Sequence, residues 1–203
     1  SILAGNFKRI GTIRNLPQLD YVMKFGFLKG NLMASQHIRA LKKLDLCAGV
    51  SEAVTENLKN RFLIQNVVTI QNGVDDQVFS PVNSAQKNEL RIKFHLPLEG
   101  RIWVSSGELS ERKDPMFLIS SWRKLFKGKT FSDHLLFIGG GPLYEECVRA
   151  AEGNSNILFP GKVSNVVDYL RASDFFVSSS QAEGLPNSVL EALACGLPKP
   201  PAQ

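Results

Sequence analysis

The residue types best suited to chemistry lie in residues 178–192, which read SSSQAEGLPNSVLEA. A strand is predicted just before them, over 175–178, and Pro186 suits the first turn of a helix. The N–H groups at the start of a helix have no partner within it, and the helix dipole is positive there, so this end favours an anion such as phosphate. The segment is therefore a candidate phosphate-binding turn.

Two glutamates flank this turn. Glu191 lies five residues after Pro186, about 7 Å along the axis at ~1.5 Å per residue, which is a suitable reach from a diphosphate to ribose hydroxyls. The alternative for Glu191 is a solvated helix face. Glu183 precedes the helix and can accept hydrogen bonds from a sugar on the other side of the phosphates. A carboxylate there can equally cap the helix, so both interpretations stay open.

Two more loops have the composition of ligand-binding turns. Gly139 and Gly140 lie in FIGGGP, residues 137–142, where an apolar strand runs into three glycines and then a predicted helix. Gly107 follows another predicted strand, and Lys113 comes six residues later, where its ammonium can meet a phosphate. Glycines let a backbone approach a ligand closely. The alternative for Gly139 and Gly140 is a tight turn. The alternative for Gly107 and Lys113 is a surface loop of mixed charge.

Strands and helices alternate along the chain in two blocks, which divide near residues 75–85. The alternation predicts an α/β protein with parallel sheets, helices on both faces and ligands at the carboxyl ends of the strands. The predicted strands are 9–14, 46–50, 67–71, 102–105, 135–138, 157–159 and 175–178. The predicted helices are 31–44, 51–58, 114–127, 143–151, 165–171 and 186–195, and residues 73–88 are interpreted as a linker.

Composition narrows the class of protein. The chain has 203 residues, of which 43% are hydrophobic and 21% charged, so it can form a core and is not expected to be disordered. Its three cysteines, Cys47, Cys147 and Cys195, lie far apart, which argues against a disulfide framework or a structural zinc site and favours a reducing compartment. No apolar run reaches the roughly 18 residues of a membrane span, so we expect a cytoplasmic protein.

The net charge of +5 is mild and does not by itself identify a partner. A helix with basic residues around it can lie against an anionic membrane surface, meet an anionic substrate or simply be solvated. No interleaving of aromatic and basic residues suggests base stacking, so we expect no nucleic-acid partner. The basic residues that cluster around the helix predicted at 31–44 are Lys24, Lys29, Arg39, Lys42 and Lys43.

Five segments within residues 66–198 resemble, in order, those of glycosyltransferase family 4. Each is weakly specific alone, but the ordered set is highly specific. The resemblance implies the GT-B fold, which consists of two Rossmann-like parallel-sheet domains. We expect a partial acceptor-side domain with its linker over 1–80 and a nucleotide-sugar-binding domain over 81–203. The five segments are Asn72–Asp75 with Phe79 and Pro81, Gly107–Lys113, Ile138–Pro142, Phe159–Val163, and Glu183–Pro198.

The resemblance implies a retaining transfer of a sugar, as by a hexosyltransferase, from a nucleotide diphosphate sugar, with a UDP-sugar as the default. Lys113 and Glu183 are the implied catalytic residues: the lysine neutralises the diphosphate leaving group and the glutamate binds the donor sugar. Glu191 is expected to bind ribose, and the backbone near Val163 the base. No Asp-x-Asp occurs, so no metal or other cofactor is expected. The remaining implied donor-binding residues are Gly107, Gly139, Gly140, Gly184, Leu185, Pro186 and Asn187.

The sequence departs from the family pattern in three places. Glu108 stands where the family often has an arginine, so one expected diphosphate cation is absent. Arg14 lies where many members have a histidine near the reacting sugar, and we expect it to bind an anion on the acceptor side. Both domains are expected to be incomplete, because the early strands of the first are not found and Lys199–Gln203, with its Pro-Pro, does not suit the next strand.

The first domain is similar to bacterial members that build lipopolysaccharide O-antigen or capsule. The implied acceptor is a glycan or an undecaprenyl-diphosphate-linked sugar, and the implied location is the inner face of the plasma membrane. Two alternatives stay open: a nucleotide-sugar-binding fragment without activity, and a non-enzymatic interaction module that shares the fold. Substitution of Glu183 and Glu191 by alanine distinguishes the last, because an interaction module loses no ligand affinity.

Overall fold

Two parallel sheets, each flanked by helices, make up the computed structural model, which describes residues 7–126 and 131–198. The α/β class predicted from the sequence is confirmed. The prediction for residues 199–203 lies outside the described residues. The strands are β1 (Ile10–Ile13), β2 (Leu46–Gly49), β3 (Val67–Thr69), β4 (Ile102–Ser106), β5 (His134–Ile138), β6 (Ile157–Gly161) and β7 (Phe175–Phe176). The helices are α1 (Pro17–Phe25), α2 (Phe27–Leu41), α3 (Glu52–Glu56), α4 (Ser84–Lys93), α5 (Pro115–Leu125), α6 (Tyr144–Ala151), α7 (Val166–Ala172) and α8 (Asn187–Ala194).

The chain divides into two compact units. The first comprises residues 1–72 and 182–186, and the second comprises 73–181 and 187–203. The sequence-based boundary at 80–81 thus lies a few residues after the structural one. Within the described residues, no helix is both long enough and apolar enough to cross a membrane.

The first unit is built on the three-stranded parallel sheet β1-β2-β3. Its core includes Ile13 from β1 and Ile38 from α2, and Leu185 packs against this core. Helices α1 and α2 form a close hairpin, because a Cβ on Gly30 would lie 2.5 Å from the Tyr21 carbonyl oxygen and only glycine fits there. Helix α3 begins as predicted, with the Ser51 side chain accepting from the Val54 N–H, and continues into a π-helical turn.

The second unit is built on the four-stranded parallel sheet β6-β5-β4-β7. Strand β5 is buried on both faces, as its unbroken apolar sequence indicates. Leu135 and Phe137 pack with α5 and α6, whereas Leu136 and Ile138 pack with α7 and α8. Helices therefore cover both faces, and only the ends of the strands are open to a ligand.

Two elements differ from the sequence-based prediction. The linker predicted over 73–88 is wrong at its end, because α4 begins at Ser84. Asn83 and Gln86 form a reciprocal capping box that starts this helix. The polar composition of residues 73–88 favours a linker. However, an Asn followed three residues later by a Gln is itself a signal for the start of a helix. Helix α1 was not predicted, although Pro17 stands at its first turn.

Candidate functional site

The loops that follow β4, β5 and β6 meet at the carboxyl edge of the second sheet. The Gly107 N–H donates to the Ile138 carbonyl oxygen at 3.0 Å, and the Gly139 N–H donates to the Gly161 carbonyl oxygen at 2.9 Å. These bonds extend the ladder of the sheet beyond the strands themselves. Three segments that the sequence singled out are therefore joined edge to edge.

Gly139 is required by the close approach of two of these loops. It has φ +133°, and a Cβ there would lie 2.0 Å from the carbonyl oxygen of Gly107. No other residue can occupy this position without moving the backbone. The close approach of the two loops therefore explains by itself why a glycine is needed at position 139. Gly140 differs, because a Cβ there would meet nothing within 4 Å, so its backbone borders open space at the sheet edge.

Lys113 lies over Gly107. A Cβ on Gly107 would be 3.4 Å from Cε and 3.7 Å from Nζ of Lys113, so the ammonium is next to the end of β4. A 3₁₀ turn over Glu111–Lys113 and the left-handed backbone of Asp114 (φ 45°) return the chain to this position. The spacing of six residues thus brings a positive charge to the carboxyl edge.

The loop after β7 fixes the turn that contains Lys113. The Ser179 hydroxyl lies 2.8 Å from the Lys113 carbonyl oxygen and 2.7 Å from that of Asp114. The Gln181 N–H donates to the Arg112 carbonyl oxygen at 3.0 Å, and the Gln181 side-chain amide donates to Asp114 at 2.7 Å. The lysine is therefore on a constrained turn. Sequence analysis included 178–192 as a phosphate-binding turn but missed this bracing role of Ser179 and Gln181.

Helix α8 follows β7 and carries Glu191 in its interior. The helix begins at Asn187, one residue after the predicted first residue, Pro186. Burial raises the pKa of Glu191 above its ordinary value. Its carboxylate makes no hydrogen bond and no ion pair within residues 7–126 and 131–198. A half-buried carboxylate without a protein partner has lost part of its hydration, so a ligand hydroxyl would compensate it.

Val163 lies just beyond β6, where its side chain packs against the core of the second unit. Gly161, which ends β6, has φ +78° and accepts the hydrogen bond from Gly139. Binding of the base by the backbone near Val163 stays a prediction. No contact among the described residues tests this role of the Val163 backbone.

The structure places Glu183, Gly184, Leu185 and Pro186 in the first unit, whereas Lys113 and Glu191 are in the second. Gly184 lies against β1: a Cβ there would be 2.2 Å from the Arg14 carbonyl oxygen. Leu185 accepts a 2.9 Å hydrogen bond from the Asn72 side-chain amide. The segment next to Glu183 is thus held against the carboxyl end of β1, beside Arg14. Sequence analysis did not bring these residues together.

Arg14 lines a cavity of about 190 Å³ at the carboxyl end of β1. Asp20, Tyr21 and His37 line it too. Burial lowers the pKa of His37, and its Nδ1 is buried with no hydrogen-bond partner among the described residues. Its ring meets that of Tyr21 edge to face at 5.6 Å. Sequence analysis missed His37, because its distance from Arg14 along the chain gives no signal of a shared cavity.

Among the described residues, neither the carboxyl edge of the second sheet nor the cavity at the end of β1 contains a set of metal ligands. Among the described residues, no group of three or more His, Cys, Asp or Glu is arranged to hold a metal ion. The three cysteines are free and buried, and burial raises the pKa of Cys147 to about 11. That thiol therefore stays protonated at neutral pH and is not a nucleophile.

Residues 100–199 match the family model described as Glycosyl transferases group 1. The match covers β4 to α8, the part of the chain that contains Gly107, Lys113 and Glu191. Over these residues the chain is therefore similar to the group 1 glycosyltransferases.

Individual relatives agree with this assignment. An uncharacterised glycosyltransferase of Methanocaldococcus jannaschii is 29% identical over 153 residues, which are 73% of this chain and 36% of that protein. The UDP-Gal:alpha-D-GlcNAc-diphosphoundecaprenol alpha-1,3-galactosyltransferase of Escherichia coli is 28% identical over 138 residues, 65% of this chain and 35% of that protein. The chain spans about a third of the length of these relatives.

The fold of the chain is that of solved GT-B structures. A crystal structure of Anabaena HepE in complex with UDP-glucose matches it with a TM-score of 0.77 at 16% identity, over 94% of this chain and 52% of that one. The predicted GT-B fold is confirmed. At this level of identity the likeness shows the fold alone.

Proposed function

We propose that the chain is the donor-binding part of a retaining glycosyltransferase of family 4, which transfers a hexose from a nucleotide diphosphate sugar. The observation that carries this proposal is the position of the Lys113 ammonium over Gly107, at the edge where the loops after β4, β5 and β6 meet. Bound there, a diphosphate is in contact with a fixed cation and with the backbone N–H groups at the start of α8, which the helix itself leaves without partners. Both stabilise the charge that develops as the diphosphate leaves.

Other residues have complementary roles in this proposal. Glu191 accepts hydrogen bonds from the ribose hydroxyls, which replace the water its half-buried carboxylate has lost. Glu183 holds the donor sugar, and the backbone near Val163 borders the base. The bond between the sugar and the diphosphate breaks, the sugar bonds to the acceptor oxygen, and the hydroxyl proton passes to the leaving diphosphate. Lys113 balances the remaining charge without a metal ion or other cofactor. Within the second unit, the backbone groups assigned to the phosphates are those of Gly140 and Asn187.

UDP is the nucleotide we propose. The Escherichia coli relative is named for UDP-Gal, and the Anabaena structure contains UDP-glucose. The diphosphoundecaprenol in the name of the same relative supports a lipid-linked glycan as the acceptor. We therefore assign the complete enzyme to bacterial surface polysaccharide biosynthesis, such as that of O-antigen or capsule, at the inner face of the plasma membrane.

The acceptor side is assigned to the cavity at the end of β1. Arg14 offers a cation and His37 offers a buried, unpartnered Nδ1 in the same cavity of about 190 Å³. Since burial lowers the pKa of His37, its imidazole is neutral at pH 7 and can accept a proton. In the complete enzyme, Arg14→Ala should lower turnover. Unchanged turnover would remove Arg14 from the site.

Calorimetric titration of the chain with UDP, GDP and ADP tests the donor site. We expect UDP to bind and Glu191→Ala to weaken binding about tenfold, the worth of one hydrogen bond to a charged group. The matched control is Glu152→Ala, which removes an exposed glutamate after α6. Absence of binding by a chain shown to be folded would contradict the proposal. Binding of GDP or ADP alone would keep the site and change the donor.

A further inference from the structure

Asp114 has a left-handed backbone, with φ 45° and ψ 55°. Few L-residues adopt this conformation, because it brings Cβ close to a carbonyl oxygen, although Asp tolerates it better than most. Such a conformation persists only where the surrounding structure fixes it, and it is frequent at functional sites. Asp114 directly follows Lys113, whose ammonium lies next to Gly107. The unusual backbone is therefore at the residue through which the chain leaves Lys113.

Every polar atom of Asp114 is engaged in a hydrogen bond. Its N–H donates to the Ser110 carbonyl oxygen at 3.1 Å, and its own carbonyl oxygen lies 2.7 Å from the Ser179 hydroxyl. Its carboxylate accepts from the Phe117 N–H at 3.2 Å and from the Gln181 side-chain amide at 2.7 Å. The conformation of Asp114 is thus fixed by the turn that carries Lys113, by the start of α5 and by the loop after β7.

Helix α5 gives this arrangement a fixed base. Its buried side chains Ile119 and Trp122 pack in the core of the second unit. Asp114 joins the helix to residues 110–113, which we call the Lys113 turn. Because α5 is held by its packing, the Lys113 turn moves relative to the helix only when the backbone of Asp114 changes. The left-handed conformation of Asp114 therefore sets the position of Lys113.

Gln181 holds both neighbours of Lys113. Its N–H donates to the Arg112 carbonyl oxygen at 3.0 Å, and its side-chain amide donates to the Asp114 carboxylate. Gln181 is exposed, so water competes for the side-chain bond, and the bond adds little to the stability of the whole unit. Its effect is local, because it holds Asp114 in the conformation that places Lys113. A cation that is already in place needs less ordering when a phosphate binds.

We propose that Gln181 is a positioning residue of the donor site, which acts through Asp114 to hold the Lys113 ammonium where the diphosphate binds. The inference rests on the proposed function, because it takes a nucleoside diphosphate as the ligand of Lys113. It deepens that function by assigning part of the affinity for the phosphates to a side chain that need not touch them. An effect of Gln181 on binding then requires both a phosphate on the ligand and a lysine at position 113.

Calorimetric titration of the full chain with UDP, and displacement of UDP by uridine, test the proposal. Gln181→Met keeps the length of the side chain and removes its amide. UDP affinity should fall about fivefold, the worth of one hydrogen bond. Uridine affinity should stay the same, because uridine has no phosphate to meet Lys113.

A double-mutant cycle separates positioning from a general loss of structure. In the Lys113→Ala background, Gln181→Met should change UDP affinity by less than about twofold, because the group that it positions is gone. Asp114→Gly is a second variant, since Gly adopts the left-handed backbone without strain but offers no carboxylate. It should weaken UDP binding to a similar extent, and Gln181→Met should add nothing to its effect.

The matched control is Gln86→Met. The Gln86 side chain accepts from the Asn83 N–H at 3.1 Å in the capping box of α4, so this variant removes a glutamine hydrogen bond outside the Lys113 turn. The free energy of unfolding should fall in Gln86→Met, with UDP affinity unchanged. The control thus shows that a loss of stability alone does not weaken nucleotide binding.

Three results would overturn the positioning role and leave the proposed function intact. They are an unchanged UDP affinity in Gln181→Met, an equal loss of UDP and uridine affinity, and a fivefold loss that persists in the Lys113→Ala background. A folded parent that binds none of UDP, GDP and ADP would contradict the proposed function itself, and the positioning role would fail with it.

Discussion

Two carboxylates of the second unit differ in whether the protein supplies them with hydrogen-bond and ion-pair partners. At the amino ends of its strands, Asp174 accepts from the Ile102 N–H at 2.7 Å and from Lys87 at 2.9 Å, and it pairs with the buried Arg91. At the carboxyl ends, Glu191 is half-buried with no hydrogen bond or ion pair from the described residues. Charges that stabilise a fold are satisfied by the protein, whereas a half-buried carboxylate without a protein partner is a candidate for binding a ligand.

The pKa values of the two carboxyls show the same contrast. Burial alone would raise the pKa of Asp174, but hydrogen bonds from Ile102 and Lys87 and the charge of Arg91 outweigh burial and lower it. Nothing offsets burial at Glu191, so its pKa is raised. The ionised form is therefore favoured by folding at Asp174 and disfavoured at Glu191.

Asp174→Asn should have the largest effect on stability. Because it leaves the Arg91 charge buried without its partner, we expect a loss of about 3 kcal/mol in the free energy of unfolding, with UDP affinity unchanged. Urea denaturation and calorimetry measure the two quantities. The control is Asp168→Asn, whose partners are Lys93, which is 60% exposed, and Arg171 at 3.9 Å, so its pairs are worth about 1 kcal/mol or less. An equal loss in both variants would break the contrast between buried and exposed pairs.

This stabilisation by Asp174 depends on pH. Because its folded pKa is lowered, the contribution is present above the unfolded value of about 3.9 and is lost as the pH falls through the folded pKa. Asp174→Asn should therefore approach the parent in stability only under strongly acid conditions. Unfolding curves measured between neutral and acid pH check this convergence.

How much of the fold and of the candidate site can be predicted from the sequence depends on how far apart along the chain the interacting residues lie. Local signals gave the strands, most helices and the candidate residues: Ser51 as a cap, and the six-residue spacing of Gly107 and Lys113. Interactions between distant residues were not readable. The Asp174 pair with Arg91 spans 83 residues, and Gly184 reaches the end of β1 through a backbone approach that no spacing encodes.

Lys113→Ala tests the contrast between stability and binding at the carboxyl end of the second sheet. The variant removes the cation beside Gly107, so we expect UDP affinity to fall by about 2 kcal/mol, or roughly 30-fold, with the free energy of unfolding nearly unchanged. Its control is Lys124→Ala, an exposed lysine late in α5. A loss of stability as large as that of Asp174→Asn would show that Lys113 serves the fold and not the ligand.

Glu191→Gln should change stability and affinity in opposite directions. UDP affinity falls about tenfold, because a neutral amide replaces the charged acceptor of ribose hydroxyls. Stability at pH 7 rises slightly, because the folded state no longer holds a carboxylate that burial has partly desolvated. Calorimetry and urea denaturation of the same preparation measure both. A fall in both quantities would mean that Glu191 has a structural partner after all.

The smallest effect is the pH dependence of nucleotide affinity. In the proposed site the ionised carboxylate of Glu191 is the stronger acceptor for ribose hydroxyls. Because burial raises the pKa of Glu191 above its ordinary value of 4.5, affinity should decline as the pH falls through that raised value. The nucleotide phosphate titrates in the same region, and Glu191→Gln corrects for it because both proteins bind the same nucleotide. The ratio of parent to variant affinity should therefore shrink towards one as the pH is lowered. A ratio that stays constant down to pH 4.5 would show that the charge on Glu191 plays no part in binding.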